Sequence, residues 1–195
     1  RRPIPRSCRN GSSSGSGSDP SPGTHVVLFV PPVPSDMPTY QRETWVDAPL
    51  ADVWDFHSHG SGLEALTPRW MHLRIEAVRG PDGESDPPVL ETDSEIEVSV
   101  RPFGVGPRQS WTSVITRREV DDGAAVFEDE MRSGPFRRWH HTHAFYAEGD
   151  RTLVRDRVEY RLPFDGLGDA VGPLAWIGFE PMFRHRHRKT RELLE

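Results

Sequence analysis

Two histidines and two aspartates are the side chains of this sequence whose types and spacing best suit chemistry. His141 and His143 are two residues apart, while Asp129 and Asp156 lie in the apolar runs before and after them. Histidine titrates near neutral pH, and a neighbouring carboxylate fixes which ring nitrogen holds the proton. Such a set can remove a proton beside a carbonyl group and return one to its oxygen. These four residues are the candidate catalytic residues.

Other interpretations of the same four residues remain open. They can form a buried polar network that is satisfied internally and fixes strand register, or they can hydrogen-bond a bound molecule. They can also hold a metal ion, since two histidines and an aspartate on adjacent strands have the composition of a facial triad. The pairs His57-x-His59 and His185-x-His187 share the spacing but fall in predicted helix or loop, where such side chains diverge. With no cysteine ligand available, we expect neither a metal nor a cofactor.

The stretch from Ala124 to Phe164 predicts the strands that carry these residues. Turn signals at Ser133-Gly134-Pro135 and Glu148-Gly149-Asp150 divide it into an antiparallel meander. Because side chains alternate along a strand, each segment has one apolar face that also carries ionisable groups, which is typical of a pocket lining. The expected ligand contacts are Trp111, Met131, Trp139, His141, His143, Phe145, Asp156, Val158 and Tyr160, with Trp54, Trp70 and Trp176 as further aromatic candidates.

The segment before the meander predicts one strand, two short helices and three more strands. Pro49 suits the first position of a helix that follows the strand Thr39–Val46, and Leu63 and Leu66 allow another helical turn. The three further strands are predicted at Trp70–Val78, Ser94–Val100 and Gln109–Arg118.

A long final element is predicted from Pro173 to Leu194, with Pro181 expected to kink or break it. Its basic stretch, Arg184–Arg191, is interpreted as a solvated helix end. Seven strands with one long helix are most simply arranged as a curved antiparallel sheet that wraps around the helix, an α+β fold. Such a sheet leaves room for a ligand between its concave face and the helix.

Composition bounds the remaining possibilities. The Gly-, Ser- and Pro-rich residues 1–36 predict a disordered or non-native extension, with Met37 as the native start and residues 37–195 as the domain. The chain has 195 residues and a net charge of −6, and the extension carries four arginines and two aspartates, so the domain carries −8. This acidity argues against nucleic acid, and Val26–Val30, the longest apolar run, is too short to span a membrane. We expect a soluble, cytoplasmic monomer or homodimer.

Several motifs resemble one known family. They are Ala48-Pro49-x-x-x-Val53-Trp54-x-Phe56, Gly134-Pro135-Phe136-x-x-Trp139-x-His141-x-His143-x-Phe145, Asp156-x-Val158-x-Tyr160-x-Leu162-Pro163-Phe164 and Phe183-x-x-Arg186. Over about Met37 to Leu194 the chain is similar to the START-like (SRPBCC) ligand-binding superfamily, and within it to the polyketide cyclase/dehydrase-type proteins. This resemblance implies a helix-grip fold with a hydrophobic cavity. It implies no single activity, because the members have diverse roles.

The residues and the resemblance together favour a module that binds a small hydrophobic molecule, lipid- or polyketide-like, between the sheet and the last helix. The alternative is a cyclase or dehydratase that acts on a carbonyl substrate, with His141 or His143 as the base. A structural or regulatory protein with a vestigial cavity is the third hypothesis.

Overall fold

The computed structural model describes residues 37–163 and 176–195, which form one seven-stranded sheet and three α-helices. The predictions for residues 1–36 and for the side chain of Trp176 lie outside what the structure describes. Among the described residues, no helix has both the length and the apolar character needed to cross a membrane. The strands are β1 Thr39–Val46, β2 Arg74–Arg79, β3 Glu95–Val100, β4 Gln109–Asp121, β5 Ala124–Arg132, β6 Arg138–Glu148 and β7 Arg151–Arg161, and the helices are α1 Leu50–His57, α2 Gly60–Leu66 and α3 Trp176–Leu194.

The sheet is antiparallel throughout, in the order β1-β7-β6-β5-β4-β3-β2. Each strand from β2 to β7 pairs with the strand next to it in the sequence. Strand β1 pairs with the free side of β7 and forms one edge of the sheet. Helices α1 and α2 follow β1, and α3 packs against the sheet near β1. The predicted helix-grip architecture is confirmed, and its adjacent strands β5, β6 and β7 carry the four candidate residues.

A two-residue turn sets the register between β6 and β7. Glu148 pairs with Arg151 across Gly149 and Asp150, and Gly149 has a φ of 63°, which glycine adopts without strain. Counting back from this turn places His143 directly opposite Asp156. A short turn therefore brings together two ionisable residues that are thirteen positions apart in the sequence.

The strand predicted at Trp70–Val78 begins later than expected. Residues Arg69–Met71 form a 3-10 turn, and β2 starts only at Arg74. The reason is His72, whose left-handed backbone (φ 47°) interrupts the extended conformation. Trp70 instead stacks on Phe103 of the β3–β4 connection, with ring centroids 4.9 Å apart and planes 12° from parallel.

Helix α3 continues past Pro181, so the expected break is absent and the helix is assigned without interruption from Trp176 to Leu194. Pro181 lies near the start of the helix, where its missing N–H costs a single intrahelical hydrogen bond. Phe179 and Phe183 face the sheet and join Tyr40, Val158 and Tyr160 in a buried cluster. This cluster holds α3 against β1 and β7.

Candidate ligand-binding site

A cavity of about 510 Å³ lies between the concave face of the sheet and the helices. Its wall is mainly apolar, with contributions from strands β3 to β6, from α2 and from α3. Gly62 of α2 is part of this wall, and a Cβ there would lie 2.5 Å from the backbone oxygen of Phe56, so the close approach of the chain at this point needs glycine. The polar and ionisable residues of the wall include His57, Gln109, Ser113, Asp129, His141, His143 and Arg186.

Asp156 is the centre of a buried polar network behind this wall. Its carboxylate is fully buried. Nε2 of His141 donates to Oδ1 at 3.0 Å, and Nε2 of His187 donates to Oδ2 at 2.6 Å. Nδ1 of His143 is 2.6 Å from Oδ1 without hydrogen-bond geometry, and Nε of Arg186 is 3.7 Å from Oδ2. One carboxylate thus contacts side chains of β6 and α3.

Asp129 is the second carboxylate of the network, and it faces the cavity. Ser113 donates a hydrogen bond of 2.7 Å to its Oδ1. Its Oδ2 lies 3.6 Å from Nδ1 of His141 and 3.7 Å from Nε2 of His143. The two imidazoles are adjacent, with centroids 3.8 Å apart. Each ring therefore directs one nitrogen toward Asp156 and the other toward Asp129.

Opposite charges face each other within the network. Burial would raise the pKa of Asp156, but the neighbouring cations His143 and Arg186 lower that pKa well below its usual value. Burial would raise the pKa of Asp129 too, and its contacts with the two imidazoles hold it below its usual value. Burial lowers the pKa of His143, yet the charge of Asp156 raises it overall. Burial and the adjacent His143 lower the pKa of His141 to about 4, so that ring is neutral at pH 7.

The sequence profile of the family described as polyketide cyclase / dehydrase and lipid transport matches residues 46–187, well over half of the chain. The chain belongs to this family. No curated protein sequence matches it significantly.

Solved structures share the fold of this family member at low sequence identity. TTHA0849 from Thermus thermophilus is 20% identical, with a TM-score of 0.54 over 80% of this chain and 95% of that one. A norcoclaurine synthase mutant from Thalictrum flavum is 17% identical, with a TM-score of 0.57 over 81% and 94%. CV1439 from Chromobacterium violaceum is 13% identical, with a TM-score of 0.57 over 80% and 96%. At these identities the likeness shows the fold alone.

The predicted contact residues of this family member divide into two groups. The first group lines the cavity and consists of Trp111, Met131, Trp139, His141 and His143, joined by Trp70 and by the catalytic candidate Asp129.

The second group lies behind the cavity wall in the described part of the chain, so the expectation of direct ligand contact is corrected for Phe145, Asp156, Val158 and Tyr160, and for Trp54. Phe145 is covered by α1, whose Trp54 lies 5.9 Å away between ring centroids. Tyr160 is covered by Phe179 of α3, at 4.9 Å. The strand residues of this group point to the concave face, as alternation predicts, but helices α1 and α3 already occupy the space above them.

Sequence reasoning missed the contribution of α3 to the polar network. The basic stretch of this helix was expected to be solvated, yet His187 is 2% exposed and Arg186 reaches both the cavity and Asp156. The signal was available, because Phe179, Phe183 and His187 recur every four residues and therefore share one helix face. A polar residue that continues an apolar stripe is expected to find a buried partner.

His57 at the end of α1 is also buried, although the sequence analysis considered it only as half of the pair His57-x-His59. Its Nδ1 donates to the carbonyl of Val53 at 2.8 Å, and its Nε2 has no hydrogen-bond partner among the described residues. Burial, followed by repulsion from Arg186, lowers the pKa of His57 to about 3, while the charges of His143 and Asp156 largely oppose each other. The ring is therefore held neutral inside the protein.

We predict that His57 makes the fold sensitive to acid. In the unfolded chain His57 takes up a proton below about pH 6.5, whereas in the folded chain it does so only near pH 3. Buried, neutral His57 therefore makes its full contribution to the free energy of unfolding above the pKa that it has in the unfolded chain. The free energy of unfolding is expected to fall by up to about 1.4 kcal/mol for each pH unit of acidification through this window.

Urea unfolding of the wild type and His57→Phe between pH 7 and pH 4 measures this effect. The free energy of unfolding of the variant is expected to fall less steeply with acidification than that of the wild type. The difference in slope should correspond to close to one bound proton. His59→Phe is the control, because His59 lies two residues away and is more exposed. Parallel pH profiles for the wild type and His57→Phe would show that burial of His57 has no such effect.

Proposed function

We propose that this protein binds a small, largely apolar molecule in the cavity between the sheet and the helices. The observation that carries the proposal is the cavity itself, since about 510 Å³ falls within the range of roughly 300–1,000 Å³ typical of ligand sites. Membership of a family described as polyketide cyclase / dehydrase and lipid transport supports the same conclusion.

The wall of the cavity indicates the chemistry of the ligand. Trp70, Trp111 and Trp139 provide flat apolar surface that suits an aromatic or fused-ring body. Arg186 and the imidazole–carboxylate cluster provide polar atoms for an oxygen-bearing group. Norcoclaurine synthase, which is 16% identical and has a TM-score of 0.56, has been solved in complex with dopamine and hydroxybenzaldehyde, both small aromatic molecules. An aromatic ligand with at least one oxygen substituent fits these features best.

A fluorescent probe tests the cavity directly. We expect 8-anilinonaphthalene-1-sulfonate, which combines aromatic rings with an anionic group, to bind the folded protein with one-to-one stoichiometry and to quench tryptophan fluorescence. Val98 lines the cavity and is 2% exposed, so Val98→Trp is expected to fill part of the space and weaken binding by at least about tenfold, the effect of about 1.4 kcal/mol.

The matched control is Val120→Trp, because Val120 lies outside the cavity wall on β4 and is 59% exposed. Cooperative thermal unfolding of both variants must be verified, because this probe also binds partly unfolded states. If the probe fails to bind, or if both variants bind it equally well, the cavity is not a ligand site and the vestigial hypothesis is favoured.

Acid–base catalysis stays a prediction. His143 and Asp129 both line the cavity, with Nε2 of the imidazole 3.7 Å from the carboxylate. The same pair can equally hold an oxygen of a bound molecule without any reaction, so binding is the function that the geometry favours.

A further inference from the structure

One nitrogen of each of two histidines lies near the same carboxylate oxygen at the cavity wall. The three atoms are Nδ1 of His141, Nε2 of His143 and Oδ2 of Asp129, and all three residues border the cavity. Potential ligand atoms of these residues lie within 4.8 Å of one another. Zinc holds nitrogen and oxygen ligands at about 2.0–2.2 Å, so two tetrahedral ligands lie roughly 3.4 Å apart. The separations of 3.6 and 3.7 Å to Asp129 need only a small contraction.

The opposite sides of both rings face Asp156. Nε2 of His141 donates to Asp156, and Nδ1 of His143 lies 2.6 Å from the same oxygen. Neutral His141 gives its proton to Asp156 through Nε2, so its Nδ1 presents a lone pair that faces the carboxylate of Asp129. Two electron-pair donors face each other favourably only when a cation lies between them. Histidine ligands of metal ions are oriented in this way, by an outer carboxylate on the nitrogen that does not bind the metal.

The outer shell extends beyond the rings. Ser113 donates to Oδ1 of Asp129 at 2.7 Å, which leaves Oδ2 to face the imidazoles. His187 donates to Oδ2 of Asp156 at 2.6 Å and so holds the carboxylate that orients both rings. The three inner atoms are therefore positioned by second partners rather than by each other.

We infer that Asp129, His141 and His143 form a binding site for a divalent transition-metal ion, with its open coordination positions directed into the cavity. Two imidazoles with one carboxylate suit zinc or iron(II). This inference stands against the sequence-based expectation of no metal, and metal titration decides between the two. On binding, the ion takes the place of any proton on the inner nitrogens.

The site has a consequence for the ligand, and this consequence rests on the proposed function. The two carboxylates, the guanidinium of Arg186 and a divalent ion leave one positive charge when the histidines are neutral. An anionic oxygen of the cavity ligand, such as a carboxylate, phenolate or enolate, would balance that charge and fill an open position.

Metal titration of the full chain without any organic ligand tests the site separately from the cavity. Tag-free protein is stripped with a chelator and carries Cys8→Ser, so that the thiol of residue 8 cannot bind the metal. Zinc is titrated by calorimetry, and cobalt(II) by its visible absorption. We expect one zinc ion per chain, cobalt bands typical of nitrogen and oxygen ligands, and a zinc-dependent rise in melting temperature.

Two pairs of variants locate the metal. Asp129→Asn and His143→Gln are expected to weaken zinc binding by at least about tenfold, a loss typical even of outer-shell partners. Glu130→Gln and His140→Gln are the matched controls, because their side chains alternate to the other face of β5 and β6, and both should bind as the wild type does.

The possible outcomes are distinct. Absence of saturable one-to-one binding, or binding that both inner variants leave unchanged, would overturn the metal site. Either result would leave the cavity proposal intact, since the naphthalene probe tests it independently. If one inner variant fails to fold, the other variant and the cobalt spectrum of the wild type still decide the question.

Discussion

Replacement of Asp156 by alanine is expected to lower the free energy of unfolding by about 3–5 kcal/mol. The carboxylate is fully buried and faces His141, His143, His187 and Arg186. Its removal leaves the cations of this network with Asp129 as their one remaining carboxylate, around a position that is fully buried. Removal of one partner from a buried charge network lowers the free energy of unfolding by far more than the intact network contributes to it. The reason is that the remaining charges stay buried without a partner.

Urea unfolding at pH 7 measures this loss for Asp156→Ala. Glu119→Ala on β4 is the control, because Glu119 is an exposed carboxylate that pairs with Arg117 at 2.6 Å. An exposed pair of this kind contributes about 0–1 kcal/mol. Equal losses for the two variants would contradict the central position that we assign to Asp156.

Replacement of Phe183 by alanine is expected to destabilise the fold by a similar amount, about 3–5 kcal/mol. Phe183 is 1% exposed, and its ring lies 5.1 Å from Tyr40 and 5.3 Å from His141 between centroids. The side chain also borders the cavity, so its loss removes apolar burial and enlarges a space that already exists. Phe183 connects α3 to β1 and to the polar network.

Chemical unfolding of Phe183→Ala is compared with that of Leu193→Ala. Leu193 lies on the same helix but is 50% exposed, so its truncation is expected to change stability by no more than about 0.5 kcal/mol. A loss below about 1 kcal/mol for Phe183→Ala would show that α3 is held to the sheet mainly by other contacts.

The four candidate residues were found from the sequence because strands have a strict two-residue period. Alternation placed His141 and His143 on the apolar face of β6, and both are buried there. The turn at Gly149 then fixes Asp156 opposite His143, since a two-residue hairpin allows one register. The connection between β5 and β6 is longer, so the pairing of Asp129 with His141 could not be counted from the sequence.

The polar network was only half visible in the sequence. Its members on β5, β6 and β7 were recognised, but Arg186 and His187 come from a helix whose contacting residues lie about thirty positions beyond Asp156. A basic stretch in a sequence predicts a solvated helix end unless the face turned to the sheet is known. The distinction depends on how α3 is rotated about its axis, which is decided by the packing of Phe179 and Phe183.

The order of strands and helices, the concave face of each central strand and the histidine–aspartate composition of the site could all be predicted from the sequence. These features follow from local rules, namely side-chain alternation, turn chemistry and helical period. The packing of the folded chain sets which of the predicted contact residues reach the cavity and which are covered by α1 and α3. It alone directed the inner nitrogens of His141 and His143 toward Asp129. Those distances depend on the packing of elements that are remote in sequence, and no local pattern encodes them.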